Sequence, residues 1–195
     1  VRVEIMASYT AISSISKKIA ELMHKELVPE LIPSEEYIGF AAPNERDSLM
    51  VGIFLYDIRE SDEIKANQMS ARDLSTMRFP PVYLNLYYMI TAYAEGDILF
   101  RSLREEMILG KIIRYFHDNS IIMREEGNIP AKIELMKMSM EEKTKIWSFA
   151  GMPYKLSVFY KVSPVTIDSE RIQKVTRVTS VDIRVVGGKQ NIQEE

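Results

Sequence analysis

Between Phe79 and Tyr93 the sequence FPPVYLNLYYMITAY alternates with a period of two over its whole length. In an extended chain Val82, Leu84, Leu86, Tyr88, Ile90 and Ala92 fall on one side. Tyr83, Asn85, Tyr87, Met89, Thr91 and Tyr93 fall on the other, which is tyrosine-rich and half polar. Tyrosine buries a large ring but keeps a hydroxyl that needs water or an acceptor. The row Tyr83, Tyr87, Tyr93 therefore suits a surface covered by another protein, or by the chain's own helices if the strand is central.

Ahead of this strand the period changes. Ile12, Ile15, Ile19, Leu22, Met23 and Leu27 recur at spacings of three and four, predicting an amphipathic helix that starts after Ser8 or Thr10 and ends near Pro29. Leu31 to Asp47, with Pro33, Gly39 and Pro43, reads as a connector, and Leu49 to Asp57 alternates as a strand. Arg59 to Arg78 is polar, mixed in charge and long for a connection. Beyond Tyr93, Leu99, Leu103, Met107, Ile112, Ile113 and Phe116 mark a second long helix whose apolar coverage is wider than one stripe. Such a helix either sits deep between layers or meets another subunit.

Ile133 to Met138 reads as a short strand and Met140 to Phe149 as a short helix. Tyr154, Leu156, Val158, Tyr160 and Val162 alternate with Lys155, Ser157, Phe159, Lys161 and Ser163, predicting a half-exposed strand that stops at Pro164. Lys174 to Val186, rich in valine, threonine and isoleucine, predicts a last strand. Its only charges from Val175 to Val186 are Arg177, Asp182 and Arg184. With so few charges to guard an edge it is a candidate for pairing across subunits, through Val175, Arg177, Val181, Ile183 and Val185. The pattern as a whole is α+β: a mainly antiparallel, possibly mixed sheet with two long helices packed on it. Residues 7–186 form one domain, and 187–195 read as a flexible tail.

Composition narrows the function. A formal net charge of -3 and the absence of a basic stripe give no attraction for nucleic acid. There is no cysteine, and His24 and His117 are the only histidines, so thiolate chemistry and a zinc site both lack ligands. No run of about 18 apolar residues predicts a membrane span. Synthesis and folding in the cytoplasm are expected. Glu35-Glu36, Glu105-Glu106, Glu125-Glu126 and Glu141-Glu142 are adjacent pairs, which on a helix diverge and cannot share a substrate. His117-Asp118 falls at a predicted helix end, where histidine serves the terminal carbonyls more readily than it serves as a base. No catalytic, cofactor or metal residues are indicated; the alternatives to a structural role are a protein-binding adaptor and, less favoured, an enzyme using His117 and Asp118.

Three segments in order, PPVYLNLYYMITAY at Pro80 to Tyr93, EEMILGKIIRYFHD at Glu105 to Asp118 and IWSFAGMPYKLSVFYKVSPVTIDS at Ile146 to Ser169, carry a resemblance, and the opening helix ASYTAISSISKKIAELM fits it too. Together they resemble the N-terminal domain of the cap, or tail-terminator, proteins of extracellular contractile injection systems, which are phage-tail-like particles. The resemblance implies a tail-terminator-like fold and a structural role without a reaction. It implies a hexameric ring that ends the inner tube and anchors the distal end of the sheath, in a particle released from the cell. On that reading, the last strand is expected to add edge to edge to a strand of the sheath.

Overall fold

The computed structural model describes residues 9–65, 68–71, 75–122 and 129–174. The tyrosine-rich strand, β5 (Val82–Ala92), is central in a six-stranded sheet. It lies antiparallel between β2 (Val51–Glu60) and β8 (Ser157–Ile167). Outside β2 runs β1 (Ile38–Phe40), the sheet's parallel neighbour; beyond β8 come β7 (Ala131–Leu135) and β6 (Ile121–Ile122), antiparallel. The order β1-β2-β5-β8-β7-β6 makes the sheet mixed but mainly antiparallel. A separate three-stranded antiparallel sheet joins β3 (Ser70–Ala71) and β4 (Thr76–Arg78), both from the long polar connection, to β9 (Ile172–Lys174).

Two long helices share one face of the large sheet. α1 (Ala11–Leu27) sets down Ile15, Ile19, Met23 and Leu27, and α2 (Ile98–Asp118) sets down Ile108, Leu109, Ile112 and Phe116. Both pack on Val51, Ile53, Leu86, Tyr88, Ile90, Tyr160 and Val162. The Tyr88 hydroxyl, buried in that layer, finds its partner in the Ser16 hydroxyl of α1 at 2.9 Å. On the opposite face α3 (Met140–Phe149) places Trp147 against Met89, Tyr93 and Phe159.

The starts of α2 and α3 have a local cause. Asp97 accepts from the Leu99 N–H, capping α2. Ser139 and Glu142 form a reciprocal box at the start of α3: the Ser139 hydroxyl accepts from the Glu142 N–H and the Glu142 carboxylate accepts from the Ser139 N–H. That backbone bond from Ser139 holds the Glu142 carboxyl below its ordinary pKa. α1 begins after Thr10 and stops just short of Pro29.

The strand expected to be half exposed and to stop at Pro164 is covered on both faces and continues to Ile167. Proline survives inside it because the ladder is interrupted there. Leu84 pairs with Val165 and Leu86 with Val162, so Ser163 and Pro164 together oppose Asn85 alone. A residue without an N–H costs nothing in a bulge that has no ladder bond to lose. The extra residue also switches the side-chain parity. Val158, Tyr160 and Val162 before the bulge and Val165 and Ile167 after it all face the two long helices. A second bulge lies between Leu55 and Asp57 of β2; alternation from Phe54 puts Tyr56 on the α3 side, where its ring meets Tyr87 and Phe159 at 6.2 and 5.8 Å.

Removing the ring that α3 and the sheet share, with Phe159→Ala, should cost about 3–5 kcal/mol in chemical denaturation. Loss of less than about 1 kcal/mol would mean that α3 does not seal that face. Burial pushes the phenols of Tyr56 and Tyr88 up to about 12, so the folded chain keeps protons that the unfolded chain releases near ~10. Stability should therefore be unaffected by these groups below about pH 10 and fall as pH rises toward 12. The urea midpoint across that range checks it, and Tyr88→Phe should flatten the fall.

Candidate subunit interface

The three strand tyrosines do not form one open row. Tyr93 is only 8% exposed, packed beside Trp147 in the smaller core, with the Arg46 guanidinium 4.4 Å and the Lys155 ammonium 5.6 Å from its ring. Burial raises its phenol pKa. Tyr83 and Tyr87 are half buried, and Tyr87 lies against Tyr56 and beneath Arg59. The chain's own α3 thus covers the Met89 to Tyr93 end of this face, and the Tyr83 to Tyr87 end keeps access to solvent. Val175, Arg177, Val181, Ile183 and Val185 lie outside the described residues.

A more exposed apolar surface runs along α2. Its inner side fills the core, yet Leu99 (74% exposed), Phe100, Leu103, Met107 and Ile113 point outward. A Cβ built at Gly110, between Met107 and Ile113, meets no atom within 4 Å. At the last residue of α3, Phe149 is 92% exposed, and beyond the helix Leu156 is about half exposed. Large apolar side chains exposed in succession along one helix mark a contact surface more than scattered ones do.

One buried ion pair fixes this helix. Glu105 projects inward from α2, accepts from the Ala94 N–H just past β5 at 3.0 Å, and meets the Lys155 ammonium through both oxygens at 2.8 Å. The pair joins α2, the end of β5 and the segment that leads into β8. At the other end of α2, Lys111 pairs with Glu30 and Arg114 with Glu26, bridges at the surface that contribute little.

Where α2 ends, a cleft of about 380 Å³ opens between it and β7. Ile113, Phe116, Ile133 and Leu135 supply apolar walls, and His117, Ser120, Lys132 and Glu134 supply polar ones. Tyr160 also lines it, its ring 5.3 Å from that of Phe116; its hydroxyl is buried with no hydrogen-bond partner among the described residues, and burial raises its pKa. A neutral phenol of this kind offers one unspent hydrogen bond. Among the described residues no hydrogen bond or ion pair joins His117 to Asp118 or Glu134, and no cluster of three His, Asp or Glu residues is placed to hold a metal ion. Nor, among them, is any helix long and apolar enough to cross a membrane. The chemistry available here is recognition by shape, burial and hydrogen bonding.

The model of the Pvc16 N-terminal domain matches residues 14–180. The chain belongs to this family. In structure it is similar to the sheath/tube terminator of the PVC extracellular contractile injection system in its extended state, with a TM-score of 0.68 and 19% identity. It is also similar to the tube-terminating cap of the anti-feeding prophage AFP, with a TM-score of 0.62 and 18% identity. These matches cover 93% and 89% of this chain but 65% and 61% of the two solved chains, so the Pvc16-type domain seen here spans less than two thirds of either. Among curated proteins none matches the chain in sequence.

The outward side of α2 was legible in the sequence as coverage wider than one stripe; the cleft was not, because it depends on how β7 sits beside the helix end. Replacing Glu105 with Gln leaves Lys155 without its counter-charge and should destabilise the fold by about 2–3 kcal/mol, discounted from a fully buried pair because Lys155 is partly exposed. Thermal and urea unfolding would read this, and a change under about 0.5 kcal/mol would refute the anchoring role.

Proposed function

We propose that this Pvc16-type domain is the terminating, or cap, subunit of an extracellular contractile injection particle, closing its inner tube and holding the distal end of its sheath. The observation that carries the reading is the family match over residues 14–180, joined to a fold shared with two solved terminators. The work is structural and involves no reaction. The subunit is made and assembled in the cytoplasm and travels with the released particle.

The assembly we infer is a hexameric ring. A ring is built by a heterologous contact, in which one patch meets a different patch on the next copy. The outward side of α2 supplies one patch by its exposed Leu99, Leu103 and Met107. The half-buried Tyr83 and Tyr87 supply candidates for the other contacts, with tube or sheath, and Tyr93 supports them from within. The segment carrying Val175, Arg177, Val181, Ile183 and Val185 adds main-chain hydrogen bonds to an adjoining chain.

Labelled protein imaged on purified particles by electron microscopy should appear only at the end opposite the baseplate; label along the shaft or at the baseplate would sink the proposal. The double variant Leu103→Asp, Met107→Asp places charge on exposed positions and should leave monomer stability within about 0.5 kcal/mol while abolishing self-association. Unchanged association, measured by light scattering, would remove α2 from the ring contact.

A further inference from the structure

We propose that the cleft between the end of α2 and β7 is the receptor for the 181–185 segment of the next copy of this chain, so that neighbouring subunits are tied by an exchanged strand. The proposal rests on the ring reading and names where that ring is fastened. Val181, Ile183 and Val185 enter the cleft against Ile113, Phe116 and Ile133, and the unpartnered Tyr160 hydroxyl meets the main chain of the incoming segment.

The receiving side is an unfinished sheet edge. β6 pairs with β7 only at Ala131 and Lys132, and the Ile133 N–H goes to the Ser120 carbonyl. Strand parity sends the Leu135 N–H to that same outer side, where no described strand flanks it; the Met136 N–H turns inward to Phe159. Leu135 is 52% exposed beside the cleft. An extended segment laid there gains a main-chain bond and a wall for its apolar side chains at once.

The entering side fits in pattern and in charge. Val181, Ile183 and Val185 alternate with Asp182 and Arg184, and β7 presents Lys132 and Glu134, also two apart and of opposite sign. Lys132 and Glu134 bridge each other at 2.7 Å, and the incoming Asp182 and Arg184 extend that pair into a network of four alternating charges. The cleft is small for a pocket that takes a drug-sized molecule and ample for three aliphatic side chains.

The direction of the chain favours a neighbour's cleft over its own. β9 runs antiparallel to β4, with Ile172 opposite Arg78 and Lys174 opposite Thr76, so it heads away from Val82 and the large sheet. The cleft lies back along β8 at Tyr160, which pairs with Tyr88. Residues 175–183 contain no glycine or proline to reverse the chain. Fully extended, the stretch from Lys174 to Ile183 spans about 30 Å. A segment leading outward over that length reaches a neighbour without having to turn.

The chain has no cysteine, so a pair can be placed without interference. Leu135→Cys and Ile183→Cys, introduced together in the full chain and oxidised, should give a ladder of covalent multimers on a non-reducing gel. Either single variant should stop at a dimer. Oxidation that yields only an internally bridged monomer overturns the exchange and assigns the cleft to the chain's own segment. No bridge at all overturns it too, and leaves a strand of the sheath as the partner for 181–185. The mass of the unoxidised protein separates this failure from that of the ring: assembled but unbridged protein loses only the exchange, and monomeric, unbridged protein loses both.

Discussion

A strand covered on both faces has no water to satisfy its main chain or its side chains, and β5 from Tyr88 to Ala92 and the middle of β8 are both in that position. Each must pair along its length, and each must meet non-polar neighbours above and below. They meet the first demand largely through one another, in register from Val82 opposite Ile167 to Thr91 opposite Ser157. The Thr91 and Ser157 hydroxyls, buried at the end of that ladder, bond each other at 2.9 Å. The second demand fixes the layers. α1 and α2 cover Leu86, Tyr88 and Ile90, and α3 covers Met89 and Tyr93. The helix positions follow from the need to keep this strand pair dry.

The parts of this arrangement set by local patterns were readable in the sequence. The spacing from Ile12 to Leu27 gives α1 nearly to the residue, and Met140 to Phe149 emerges as α3. The period of two in β5 sorts its residues onto the two faces that the structure shows. Patterns failed where a non-local pairing overrode a local signal. Pro164 reads as a stop, and only the partner strand, with Asn85 opposite two residues, turns it into a bulge. The polar connection after Arg59 hides β3 and β4 because their pairing to β9 is nearly a hundred residues away in sequence. Tyr93 shows a further limit: a tyrosine on a half-polar face looks the same whether a partner subunit or the chain's own α3 covers it.

α2 joins the interior to the surface we assign to assembly. Ile108, Ile112 and Phe116 belong to the core, and Leu103 and Met107, within the same turns, belong to solvent. The Glu105 carboxylate holds the helix at a fixed rotation by taking both the Ala94 N–H and the Lys155 ammonium. A contact surface on a helix clamped in this way is presented in one orientation, which is what a closed ring demands of every copy.

The bulge at Ser163 and Pro164 has a consequence for how the chain tolerates changes in length. Because Ser163 and Pro164 together fill one position of the ladder, deleting Pro164 would leave Ser163 alone opposite Asn85, with Val165 and Ile167 still facing the two long helices and Thr166 still facing away from them. A deletion in the regularly paired stretch between Ser157 and Val162 has no such slack and would turn the side chains on one side of it to the opposite face. Loss of a single residue from this strand is therefore absorbed at the bulge, where the proline belongs to the one ladder position that holds a residue to spare.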